Sequence, residues 1–148
     1  MGKQIRIWFD GACHNKKNEL TPMGVGLIIK KDEAVIEQLA YTPPVLGTSN
    51  VAEWIGCYLA LKAAERLLKS PEVTYIEIFS DSQLIVNQIN GQFEVRSTDL
   101  KVFYTQCVTI FKRINRKVSI THLRRQFNQE ADRLSKQGLK DNPFSQNK

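Results

Sequence analysis

A chain of 148 residues, 42% hydrophobic and 24% charged, has the balance of one globular domain; it is too apolar for disorder and too short for a second core of useful size. Its formal net charge of +6 and pI near 9.3 favour a polyanionic partner without requiring one. In chain order, residues 3–10 alternate Ile5, Ile7 and Phe9 with Arg6, Trp8 and Asp10, which predicts a strand ending at Asp10. Gly11 opens a polar loop through residue 22. Strands follow over residues 24–30 and 35–41, close enough to form an antiparallel hairpin or meander with the first. Thr42-Pro43-Pro44 breaks the pattern, and Gly47-Thr48-Ser49-Asn50 leads into a helix over 51–69 with the stripe Ile55, Leu59, Ala63, Leu67. A mostly apolar strand over 73–79 reads as central. Ser80-Asp81-Ser82 caps a helix over 83–90 that Gly91 ends. A helix over 98–113, a short strand over 118–121 and a last helix over 128–139 complete the domain, residues 1–139. The polar segment 140–148 is expected to be a loose tail.

Strands joined through helices run parallel, so the expected fold is α/β, a mixed sheet with helices packed on its faces. Ligands of such sheets sit at the carboxyl ends of the strands. Cys13, Cys57 and Cys107 are odd in number and far apart, which argues against a disulfide framework; with only His14 and His122 beside them, no zinc spacing appears. No apolar run approaches the roughly 18 residues of a membrane span. No signal peptide precedes the first strand, so a cytoplasmic, reducing setting without a membrane is expected.

Asp10 and Asp81 fall at the carboxyl ends of two strands that become neighbours if they pair in parallel. Glu53 falls in the first turn of the long helix and Asp132 in the first turns of the last one, where the helix dipole tolerates a carboxylate. Four such groups on one spot repel unless a cation sits among them. Hard oxygen ligands suit Mg²⁺, with Mn²⁺ as a substitute, and two such ions clamp both oxygens of a phosphodiester displacement. Each acid also has a plainer reading. Asn50 with Glu53 fits a helix cap and its partner glutamate, Asp81 a cap, Asp132 a dipole partner and Asp10 a polar strand end.

Four segments carry a resemblance to type 1 ribonucleases H that spans about residues 4–138. They are Phe9-Asp10-Gly11-Ala12-Cys13; Thr48-Ser49-Asn50-Val51-Ala52-Glu53-Trp54; Ser80-Asp81-Ser82-Gln83-Leu84; and His122-Leu123-Arg124-Arg125-Gln126-Phe127-Asn128-Gln129-Glu130-Ala131-Asp132-Arg133-Leu134. The resemblance implies a ribonuclease H-like five-stranded mixed sheet with helices on both faces. It also implies a monomer that hydrolyses the RNA strand of RNA–DNA hybrids, leaving a 5′-phosphate and a 3′-hydroxyl. Asp10, Glu53, Asp81 and Asp132 would be its catalytic metal ligands for two Mg²⁺ ions.

Gly11, Cys13, Asn15, Ser49, Asn50 and Gln83 fall where the family meets its substrate. Ser49 departs from the more usual Asn, and Lys16-Lys17-Asn18-Glu19-Leu20-Thr21-Pro22 replaces the glycine-rich continuation expected after Asn15. His122 stands ten residues before Asp132, the spacing of a mobile family histidine. It reads either as a catalytic proton carrier and aid to product release or as a residue closing the last strand. A basic protrusion known in some relatives is absent from residues 92–99, where Phe93 offers an aromatic surface for the DNA strand or a core contact. The 2′-hydroxyl in the wide minor groove marks one strand as RNA. The alternatives are a relaxed nuclease that also cuts duplex RNA and a nuclease-dead domain that binds nucleic acid.

Overall fold

The computed structural model describes residues 4–146 apart from 15, 17, 18, 92, 93, 96 and 97, so Asn15 and Phe93 lie outside the described residues. The alternation at the start of the chain forms strand β1, Ile5–Cys13, with Ile5, Ile7 and Phe9 buried on one face. It is followed by β2 (Met23–Lys31), β3 (Ala34–Tyr41), α1 (Ser49–Leu67), β4 (Ile76–Ser80), α2 (Gln83–Ile89), α3 (Thr98–Ile114), β5 (Val118–His122), a 3₁₀ turn (Arg125–Phe127), α4 (Gln129–Lys140) and α5 (Pro143–Gln146). The five strands form one sheet in the order β3-β2-β1-β4-β5. β1 to β3 are antiparallel neighbours, while β4 pairs in parallel with both β1 and β5. The expected α/β mixed sheet is therefore the observed one.

Several boundaries differ from the sequence reading. β1 does not stop at Asp10 but runs on to Cys13, because residues 10–13 continue the ladder opposite Gly26, Val25, Gly24 and Met23. Backbone pairing carries this stretch where side-chain alternation gives no signal. β4 begins at Ile76, later than expected; Val73 is buried, but its N–H closes a turn onto the Ser70 carbonyl at 3.1 Å. α1 begins at Ser49, capped by Thr48, whose hydroxyl accepts from the Val51 N–H at 3.3 Å. Asn50 is thus inside the helix, and the proposed cap pairing Asn50 with Glu53 does not form. Within the segment expected to be a tail, α5 forms and Asn142 is buried, its Nδ2 donating to the Met23 carbonyl at 3.0 Å.

The two faces of the sheet are covered differently. On one, Ile5, Ile7, Phe9, Ile76, Ile78 and Ile120 pack with Trp54, Cys57 and Leu61 of α1 and with apolar residues of α2 and α3. Trp54 meets Tyr104 of α3 edge-on, centroids 5.8 Å apart. α1 lies between the sheet and α3, so its buried face is wider than the expected stripe, and Ile55 and Leu59 sit only at its border. Truncating a buried aromatic such as Trp54 to alanine removes about 3–5 kcal/mol. On the opposite face α4 lies over β1, β2 and β3. It comes so close that a Cβ on Gly24 would strike the Ser135 carbonyl, and one on Gly26 the Ala131 carbonyl. Burial on both faces explains why Met23 to Ile29 are buried without alternation.

Candidate active site

The parallel pairing of β1 with β4 ends at Trp8 and Phe79. Asp10 follows two residues later on β1, and Asp81 follows directly after β4, so the two acids share one edge of the sheet. Glu53 reaches the same edge from α1. The helix starts two residues earlier than expected, so Glu53 lies past its first turn, which holds no acid. Gly11 makes the approach possible, since a Cβ there would lie 2.5 Å from the Ala52 carbonyl carbon and 2.6 Å from the Glu53 nitrogen. The Gly11 N–H donates to Asp10 Oδ1 at 3.0 Å and to Glu53 Oε1. One carboxylate oxygen from each of Asp10, Glu53 and Asp81 lies within 4.8 Å of the others. Asp132, in the first turn of α4, stands beside this group: its carboxyl reaches Asp10 and also pairs with Lys136 Nζ at 3.0 Å.

Burial and crowding set the electrostatics. Asp10 is 6% exposed and Glu53 8%. Loss of water raises the Asp10 carboxyl to about 10, with further upward pressure from Glu53, Asp81 and Asp132. Loss of water also raises Glu53, to about 7, against the opposing pull of Asp10, the Gly11 N–H and Arg125. Both carboxyls are thereby biased towards their neutral forms. Glu53 Oε2 is buried with no hydrogen-bond partner among the described residues. A buried carboxylate oxygen without a partner, on a residue grouped with two other acids, favours a cation.

The acids open into a cleft of about 450 Å³ that Gly11, Cys13, Ser49, Ser82, Arg125 and Lys136 also line. Of the residues singled out in the sequence, Gly11, Cys13 and Ser49 thus lie with the acids. Asn50 and Gln83 are exposed in the first turns of α1 and α2 and do not line the cleft. His122 ends β5 opposite Ser80, exposed and likewise outside the lining. The sequence reading missed Lys136, which an i, i+4 spacing from Asp132 signals, and gave Arg125 no place of its own. It also missed Asn128, whose Nδ2 donates to the Phe9 carbonyl at 3.0 Å and to Asp81 Oδ2 at 3.1 Å.

A family model described as reverse transcriptase-like matches residues 8–138. A ribonuclease HI of Halobacterium salinarum is 29% identical over 143 residues, covering 95% of this chain and 66% of that protein. The bifunctional protein Rv2228c of Mycobacterium tuberculosis is 29% identical over 121 residues, 80% of this chain and 31% of its own length. The chain therefore spans just under two thirds of the first relative and about a third of the second. Among solved structures, RNase H1 from Halobacterium salinarum superposes with a TM-score of 0.79 at 27% identity, covering 93% of this chain and 98% of that one. LC11-RNase H1, isolated from compost and solved in complex with an RNA/DNA hybrid, has a TM-score of 0.77 at 23% identity, covering 92% and 96%, a likeness of fold.

Proposed function

We propose that this chain, which belongs to the reverse transcriptase-like family of ribonuclease H domains, hydrolyses the RNA strand of RNA–DNA hybrids in a divalent-cation-dependent reaction that leaves a 5′-phosphate and a 3′-hydroxyl. The observation that carries the reading is the cluster of Asp10, Glu53 and Asp81, with oxygens within 4.8 Å of one another, in which Glu53 also keeps a buried oxygen, Oε2, without a partner among the described residues. An all-oxygen donor set of this kind fits a hard cation, Mg²⁺ or Mn²⁺, better than a soft one. Asp10, Glu53 and Asp81 would hold such an ion, and Asp132 would complete a second position at the outer side. Bound there, two divalent ions supply Lewis-acid stabilisation to the attacking and leaving oxygens of a phosphodiester.

The chain's own groups do the rest. The Gly11 N–H fixes Asp10 and Glu53 relative to each other. Arg125 and Lys136, cations lining an otherwise acidic cleft, offer donors to a phosphate backbone. Ser49, Asn50 and Gln83 lie in the first turns of two helices near the same edge, suited to minor-groove and 2′-hydroxyl contacts. The net charge of +6 favours the polyanion as a whole. A cytoplasmic monomer acting without a membrane is the setting we infer; no helix of the described residues is long and apolar enough to cross a membrane. The test is cleavage of an end-labelled hybrid with Mg²⁺, Mn²⁺ or EDTA, beside duplex RNA and duplex DNA. Metal-dependent cutting of the RNA strand of the hybrid alone is the expected result. Binding without cutting would reject the activity, and equal cutting of duplex RNA would reject the specificity.

A further inference from the structure

Asn128 immediately precedes α4, where an asparagine ordinarily turns its side chain back to cap the first helical N–H groups. It makes no such cap. The side chain is instead directed inward, and the residue is 2% exposed. Its Nδ2 donates to two acceptors on two other elements: the carbonyl of Phe9, the residue before Asp10, at 3.0 Å, and Asp81 Oδ2 at 3.1 Å. Its backbone carbonyl accepts from the N–H of Asp132 at 3.0 Å. Its own Oδ1 is buried with no partner among the described residues. An uncapped helix start and an unsatisfied buried acceptor both destabilise the fold. A local rule broken in this way, beside acids, marks a functional arrangement rather than a structural one.

We propose that Asn128 is a positioning residue that registers the acids from three elements to one another. It engages one oxygen of Asp81, and it ties the strand carrying Asp10 to the helix carrying Asp132. The inference rests on the metal-dependent reading of this site. Partners that hold a metal-ligating carboxylate from behind are worth about 10- to 100-fold in metal affinity or activity. Asn128 acts through Asp81 and touches no reacting atom.

The test compares the wild type with Asn128→Ala, Asn128→Asp and Asn128→Ser, titrating Mn²⁺ by calorimetry in the absence of nucleic acid. Melting temperature, kcat and KM on a hybrid are measured on the same samples. Asn128→Asp keeps the shape but turns the donor facing Asp81 into an acceptor. It is expected to weaken Mn²⁺ binding at least as much as alanine, by about 10- to 100-fold, with KM nearly unchanged and kcat lowered. Asn128→Ser keeps one donor and should fall between the wild type and alanine; if alanine fails to fold, serine and aspartate carry the comparison. Excess Mn²⁺ should recover part of the lost kcat. Wild-type Mn²⁺ affinity in the aspartate and serine variants, with only the melting temperature lowered, would overturn the proposal and leave Asn128 a structural tie. The functional reading fails separately, by a wild type that binds Mn²⁺ and cuts no hybrid.

Discussion

The inner and outer sides of the cleft hold their acids by opposite means. Asp10 and Glu53 are buried and locked by backbone: a glycine N–H serves both, and strand and helix touch where Gly11 has no side chain. Asp132 sits on a helix, its side chain 31% exposed, and answers its charge with the ammonium of Lys136. Among the described residues the inner group has no ion-pair partner and only the pull of Arg125 on Glu53, so a proton or a metal relieves it. The outer acid already has an ion-pair partner in Lys136. Chemistry and folding stability are therefore coupled on the inner side and nearly independent on the outer.

The largest effect is expected at Asp81, which joins the inner group from β4. Asp81→Asn should lower hybrid cleavage by more than about 1,000-fold, beyond the usual cost of losing one transition-state-stabilising group. Its melting temperature should hold or rise, because a repelling charge is gone. Substantial retained activity would break the assignment of this acid to catalysis. Next in size is His122→Ala, with kcat reduced by about 10-fold, below the usual range for an acid–base group, since the imidazole is exposed beyond the cleft lining. An unchanged kcat with a lowered melting temperature would make His122 a strand terminus and move the test to Arg125, which does line the cleft.

A third expectation concerns pH. The folded-state values of Asp10 and Glu53 lie above those of free carboxyls, so folding retains protons that the unfolded chain releases. The associated stability is complete below about pH 4. It is lost as pH rises through about 7 for Glu53 and towards about 10 for Asp10. In EDTA the melting temperature should fall between about pH 6 and pH 9, by several degrees at about 4 °C per kcal/mol. Mg²⁺ should restore it, more at the higher pH. An identical Mg²⁺ effect at both ends would mean that the inner acids are not the group being relieved. The smallest effect belongs to the outer side. Lys136→Gln breaks an exposed pair and should change stability by less than about 1 kcal/mol. A larger loss, read by thermal melting, would erase the contrast between the two sides.

The inner acids were legible because they fall at junctions that sequence shows well. Asp10 follows a clean alternation, and Asp81 follows an apolar run just before a capping serine. Element order alone then brings the two strands together. Glu53 was placed on the right helix but in the wrong turn, because Thr48 rather than Asn50 provides the cap and a two-residue shift of the helix start leaves no trace in the apolar spacing. Asn128 was opaque for the converse reason. An asparagine before a helix is so ordinary a cap that nothing in the sequence reveals a side chain turned to the strand 119 residues away. The extension of β1 to Cys13 rests on backbone pairing with a glycine-containing strand, which side-chain patterns do not report.

The seat of α4 on the sheet is made of main chain against main chain, with Gly24 and Gly26 beneath it and Gly138 against the Tyr41 backbone. Such a joint has no side chain to lengthen, shorten or swap, so its geometry cannot be tuned in small steps. Asp132 travels with this helix and inherits the same rigidity. Variation at the outer acid is thereby confined to what Asp132 and its helical neighbours present. Even alanine at Gly24 or Gly26, which pair with Ala12 and Asp10 beneath the helix, would lift it and carry Asp132 away from the other three acids. Glycines that offer no side chain to the cleft thus belong to the mutational footprint of its geometry.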